Sequence, residues 1–340
     1  MKAIIVERPL EIAIREVPEP VIGRPDEVKI RVISGGICGS DIGIFRGTNS
    51  LATYPRVIGH EFGGRVTEVG PETRGIAPGD IVAVDPIRSC GHCYACRHDR
   101  HNVCRDVEVV GVHRDGGFAE FVVAPASACH KLDPNKLAPD LACLAEPYSI
   151  GMQVNFRAQI AQGDTVLVMG SGPIGLCVME IAKTRGARVM MTDIVPDRLA
   201  HALTCGADRA IDVRTEDLEA AVLDFSGGEG VAVAVDSVCS PTSVPQAMNL
   251  VCPAGRVVVL GLSDKPSEIA QVAFTKKEVT VLGSRLNNHR FPEVVRMFEN
   301  GQLRPERLRS DVFPFFEVAE AMELIREHPE RVCKVSLSFE

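Results

Sequence analysis

The sequence predicts an α/β chain in which a doubly wound parallel sheet is inserted into an all-β domain. Three observations carry that expectation: a β-rich first segment, a change to strand-helix alternation near Asp164, and a return to short helices and one strand after Ser284. With 340 residues, 45% of them hydrophobic, the chain is too long for one core of usual size and sufficient for two.

Residues 1 to about 150 are dense in glycine and proline and hold short β-type runs, VKIRVI, GRVTEVG, DIVAVDP and FAEFVVAP, as in a compact barrel. From Asp164 a buried-strand run, TVLVMG, leads into a helix over 173–185, then the strand ARVMMTD and a further helix from Pro196. Strand patterns at 209–213, 231–236, 255–261 and 278–284 follow, so six parallel strands are expected. Helices over 291–301 and 317–327 and a last strand, CKVSLSF, complete the pattern, and that strand is expected to pair back onto the first domain. The domains are accordingly drawn as 1–152, 153–284 and 285–340, with a metal lobe at about 86–106 in the first.

Composition excludes several classes. A formal charge of -8 and no long basic run argue against a surface that neutralises phosphates, so nucleic acid is not an expected partner. The first 17 residues alternate like a strand and lack the apolar stretch of a signal peptide, and no run reaches membrane-spanning length, so no membrane is expected and a cytoplasmic location is. Twelve cysteines spread through so long a chain read as reduced thiols, with metal binding the better account of the clustered ones.

Those clustered ones are Cys90, Cys93, Cys96 and Cys104. Four thiolates on a short loop make the tetrahedral sulfur shell of a structural zinc, with no open position for chemistry. His92, His98 and His101 lie in the same segment and are expected at the surface. A second motif is GxGxxG from Gly170 to Gly175, which alone is a weak signal. Its place between a buried strand and a helix strengthens it: Gly170 makes the turn, Gly172 admits a pyrophosphate, and Gly175 lets helix and sheet close up, with Pro173 and Ile174 opening the helix. Asp193 closes the next strand, 18 residues after Gly175, where a carboxylate accepts ribose hydroxyls and repels a 2′-phosphate, so NAD is expected over NADP. Arg198 either softens that preference or is a solvated helix residue. Cys38, His60 with Glu61, and Glu146 lie in three separate loop-like segments. Taken singly, Cys38 reads as a core thiol, His60 as a satisfied loop histidine, and the glutamates as solvated charges or caps.

The order and spacing of GGICGSD, GHEFGG, the CxxCxxCx7C lobe, DGGFAEF, LAEP and GSGPIG resemble the zinc-dependent medium-chain dehydrogenases over nearly the whole chain. The wording CGHCYAC, GVHRDGGFAEF, SRLN and CKVSLSFE is most similar to the polyol and sugar-acid branch, including the starvation-sensing type and the L-galactonate or L-gulonate 5-dehydrogenases. The resemblance implies a GroES-like catalytic domain from both chain ends around a Rossmann domain, NAD, two zinc ions per subunit, and a homodimer or homotetramer with the strand near 279–283 as a joining edge. It implies that Cys38, His60, Glu61 and Glu146 surround a catalytic zinc in the cleft between the domains, and that Ser40 hands the substrate proton away from it. The expected reaction is oxidation of a secondary hydroxyl of a hexonate to a ketone by hydride transfer. A neutral polyol or L-threonine is the alternative substrate, and a non-enzymatic NAD sensor the alternative class. Gly43 stands where many members carry a relay histidine, so the relay must end in water, a ribose hydroxyl or another side chain, with an altered pH dependence. For an acidic substrate the candidate cations are Arg285, with Asn287 for a hydroxyl, then Arg46 and Arg56; His113 is a further cleft candidate.

Overall fold

The computed structural model describes every residue except Leu262 and divides the chain into two compact units, Met1–Pro147 with Asn288–Glu340, and Tyr148–Asn287. No helix among the described residues is long and apolar enough to cross a membrane.

In the first unit, strand Glu27–Gly36 is the organiser. Its alternation buries Val28, Ile30 and Val32. It pairs antiparallel with Glu61–Val69, with Phe121–Pro125 and with Lys334–Ser338. Beyond Glu61–Val69 lie Ile81–Val84 and Cys129–Leu132, and beyond Lys334–Ser338 lies Arg309–Pro314. The last strand therefore does pair back, with Leu337 opposite Gly35 and Ser336 opposite Gly36. A second sheet joins Glu11–Glu16, Lys2–Arg8 and Arg56–Val57, and a two-stranded ribbon joins Ile87–Arg88 to Glu108–Val109.

The second unit holds six parallel strands in the order Arg209–Asp212, Arg188–Asp193, Thr165–Met169, Val231–Asp236, Val251–Val259 and Thr280–Gly283. That order places the reversal of winding at the ends of Thr165–Met169 and Val231–Asp236, where a Rossmann sheet binds its ligand. Leu167, Met190, Ile211, Ala234 and Val257 are buried in a core that the helices Leu218–Ser226 and Ser243–Leu250 cover. The fifth strand begins four residues before the expected Gly255, because Val251 pairs with Val231 and a register shift absorbs the Pro253 stretch before Val233 meets Arg256.

Candidate functional site

Cys38 precedes helix Gly39–Arg46 and its amide donates to Asp41 Oδ2 at 2.9 Å, which fixes the thiol at the helix start. Asp41 is fully buried and its other oxygen accepts the Gly59 amide at 3.3 Å and lies 3.7 Å from His60 Nδ1. One carboxylate thus ties the thiol segment to the histidine segment. The thiol, the His60 ring and the Glu61 carboxylate offer ligand atoms within 4.8 Å of one another. Glu61 is the first residue of strand Glu61–Val69, opposite Gly36, where a β-carbon would collide with the Glu61 carboxylate.

The loop-like placement expected for Glu146 is corrected: it lies in the first turn of helix Ala145–Ala158. Pro147 sits in that same first turn, which tolerates proline because its amide has no helical acceptor. Glu146 is buried, and burial pushes its carboxyl up to about 8, with His60 and Lys334 opposing the rise and Glu61 adding to it. His60 is held well above the usual imidazole range, since Asp41 and Cys38 outweigh the burial that opposes its charge. Ser40 Oγ lies 3.4 Å from His60 Nε2. Gly43 lies one turn further along the same helix, and a β-carbon there would meet only ordinary contacts with Thr48 and Asn49.

Two contributors went unread in the sequence. Asp41 had a signal, three residues after Cys38 in a capping pattern. Lys334 had none beyond its place in the last strand. Its buried ammonium donates to Glu61 Oε1 at 2.7 Å and to the Ile37 carbonyl at 3.2 Å. Its pKa is raised, the Glu61 charge outweighing burial.

The donor set fits a zinc ion. His60 Nδ1 and Glu61 Oε2 are buried without a hydrogen-bond partner, a state that costs about 1–3 kcal/mol per group. Thiolate, imidazole and carboxylate are the ligand types zinc takes in catalytic sites.

The four-cysteine lobe fits a second ion. Cys93 Sγ lies 3.5 Å from Cys96 Sγ and 3.8 Å from Cys104 Sγ, and Cys104 Sγ lies 3.4 Å from Cys90 Sγ. A tetrahedron with Zn–S bonds of about 2.3 Å has edges of about 3.8 Å. Backbone amides of Cys90, Cys93 and Asp106 donate to the sulfurs, and amides bring the Cys93 thiol down to about 6. His92 and His98 are exposed and turned onto carbonyls of their own loop. The surface expectation for His101 is corrected: it is half-buried because its ring stacks on His289 at 3.9 Å.

In the second unit a cavity of about 450 Å³ is lined by Gly170, Gly172, Pro173, Ile174, Gly175, Asp193 and Arg198. Gly170 has φ +100°, and a β-carbon on Gly175 would strike the Gly170 carbonyl. Gly172 caps helix Pro173–Thr184 without a side-chain bond, leaving first-turn amides facing the cavity. Asp193 ends its strand and accepts amides from Ser171 at 2.9 Å, Ile194 at 2.8 Å and Val195 at 3.0 Å. Arg285 is half-buried just past strand Thr280–Gly283, and Asn287 is fully buried. Arg46 is exposed, Arg56 pairs with Asp115 at 3.0 Å, and His113 Nδ1 accepts the Val109 amide at 3.0 Å.

Comparison with known proteins agrees with both units. Residues 24–134 match the alcohol dehydrogenase GroES-like domain and residues 173–300 the zinc-binding dehydrogenase domain. The starvation-sensing protein RspB of Escherichia coli (strain K12) is 40% identical over 343 residues, covering 100% of this chain and 99% of the relative. L-Galactonate-5-dehydrogenase of the same organism is 34% identical over 324 residues, covering 95% and 94%. A crystal structure of the rspB dehydrogenase from E. coli CFT073 complexed with NADH superposes with a TM-score of 0.92 at 39% identity, covering 100% of this chain and 99% of that one. The chain belongs to the zinc-type medium-chain alcohol dehydrogenases.

Proposed function

We propose that this dehydrogenase oxidises the C5 hydroxyl of a hexonate such as L-gulonate or L-galactonate to a ketone, passing the hydride to NAD and releasing one proton. The observation that carries the reading is the similarity to an L-galactonate-5-dehydrogenase over 94% of that relative's length. Support from the molecule comes from the thiol-imidazole-carboxylate group, the cavity beside the GxGxxG turn and Asp193, and a half-buried Arg285 with the buried Asn287 two residues on.

Zinc held by Cys38, His60 and a glutamate would supply Lewis acidity that lowers the pKa of a bound alcohol. Ser40, beside the His60 ring, takes up the alcohol proton. With Gly43 in place of a second imidazole, that proton passes on to water or a ribose hydroxyl. Asp41 orients His60, and Lys334 holds one oxygen of Glu61 while leaving the other open to a ligand. Gly170, Gly172 and Gly175 bring backbone amides to the pyrophosphate, and Asp193 selects an unphosphorylated ribose. The edge strand Thr280–Gly283 ends the six-stranded sheet and supports assembly into a dimer or tetramer.

The test is NAD reduction by the zinc-loaded protein with L-gulonate and L-galactonate beside sorbitol, L-threonine and simple alcohols. Preference for a hexonate is expected. Arg285→Ala is expected to raise the KM for the acid about tenfold or more and to leave neutral alcohols unaffected. Equal loss on both would remove Arg285 from carboxylate binding, and preference for sorbitol or threonine would replace the acid as substrate.

A further inference from the structure

A second cavity, of about 610 Å³, lies in the first unit and contains none of Cys38, His60, Glu61 or Glu146. Four arginines, Arg24, Arg56, Arg88 and Arg114, line it together with Glu27 and Asp115, while Asp26 and Glu108 pair with Arg24 and Arg114. We propose that this cavity is a binding site for a phosphate monoester, separate from the site of hydride transfer.

Three of the arginines are partly satisfied from within. Arg24 pairs with Glu27 at 3.1 Å, Arg56 with Asp115 at 3.0 Å and Arg114 with Glu108 at 3.3 Å. Arg88 has no carboxylate within ion-pair distance among the described residues. It is anchored by the backbone: Nη1 donates to the Asp85 carbonyl at 2.9 Å and the Ile87 carbonyl at 3.0 Å, which leaves the rest of a rigid fork for another acceptor. Burial lowers its pKa, Asp85 opposes that, and Arg114 and Arg24 lower it further, so the like charges already act on one another. A buried Arg56 Nε without a partner adds a further unused donor. His113 accepts the Val109 amide at Nδ1, so when neutral it carries its proton on Nε2 and is also a donor.

A concave, donor-lined wall in which Arg88 alone of the four arginines has no ion pair among the described residues offers an anion a guanidinium fork, and such forks match phosphate oxygens in pairs. The volume exceeds what a bare phosphate fills, a water occupying about 30 Å³ in the liquid. The strand Phe121–Pro125, with Phe62 and Val110, supplies an apolar wall for an organic body. The ligand class is therefore a sugar phosphate or nucleoside monophosphate.

The experiment is calorimetric titration of the zinc-loaded protein, with NADH in saturating excess to fill the dinucleotide cavity. The probes are inorganic phosphate, glucose 6-phosphate, AMP and, as control, sodium chloride at matched ionic strength. One phosphate monoester per chain is expected, bound more tightly than inorganic phosphate and weakened at least tenfold by Arg88→Met and by Arg114→Gln, with dehydrogenase turnover unchanged. Arg114 is exposed enough to keep the second variant folded if the first is not. No binding in the millimolar range, chloride binding as tight, or binding that survives Arg114→Gln would overturn the proposal.

Discussion

Lys334 and Glu61 form the most exposing test at the level of single residues. Both are buried, 4% and 0% exposed at the side chain, so removing one partner strands the other in a medium that solvates it poorly. Lys334→Met is expected to cost about 3–5 kcal/mol of stability, visible as a lower midpoint in thermal denaturation. An unchanged midpoint would mean that Glu61 is neutralised some other way. His130 sets a pH window. Burial and the nearby His289 bring its pKa down to about 4, and its ring stacks on Phe291 at 5.1 Å. The unfolded chain takes this proton near pH 6.5, whereas the folded chain refuses it until about 4. Stability from this group is therefore complete above pH 6.5 and falls as pH drops toward 4, by about 2 kcal/mol for a half-buried ring. His130→Gln should flatten that part of a denaturant-midpoint profile; an identical slope in the variant would locate the acid sensitivity elsewhere. The pairing of Lys334 with Glu61 was not legible beforehand, because partners 273 positions apart leave no local pattern.

Elements position what residues supply. Strand Glu27–Gly36 reaches the metal group through Gly36, where only hydrogen leaves room for the Glu61 carboxylate. Gly36→Ala is expected to displace Glu61 and halve the zinc content, from two ions per chain to one, by elemental analysis. Retention of both ions with normal turnover would mean that Glu61 moves at little cost. The regular elements were the readable part. Short continuous apolar runs gave TVLVMG and VAVAVD as strands, and the glycines between the first of them and helix Pro173–Thr184 gave the cradle. Helix Gly39–Arg46 was not read, since GSDIGIFR has two glycines and weak periodicity; the cap from Asp41 and the burial of Ile44 hold it instead. Helix Ala145–Ala158 was not read either.

For the whole molecule, the two proposed metals differ in how the chain encloses them. The four cysteines form a closed donor set with Cys93 and Cys104 buried, whereas the Cys38, His60 and Glu61 group leaves ligand positions open. A chelator such as EDTA is expected to remove zinc in two phases, activity disappearing with the fast one and the melting temperature falling with the slow one. A single phase carrying both losses would contradict the division of roles. The family followed from motif spacing, and six parallel strands with a returning last strand from the run of strand and helix patterns. The basic cavity did not, because Arg24, Arg56, Arg88 and Arg114 come from separate turns and ribbons that only folding brings together.

The pairing of Lys334 with Glu61 also sets an order of events during synthesis. The cysteine tetrad closes over 14 positions and can capture its ion almost as soon as it leaves the ribosome. Glu61 must wait for a lysine 273 positions later, which at 5–20 residues per second is about 14–55 s of translation. Through that interval Glu61 lacks the ammonium that holds one of its carboxylate oxygens, and the pair closes only after the intervening nucleotide-binding unit has been made.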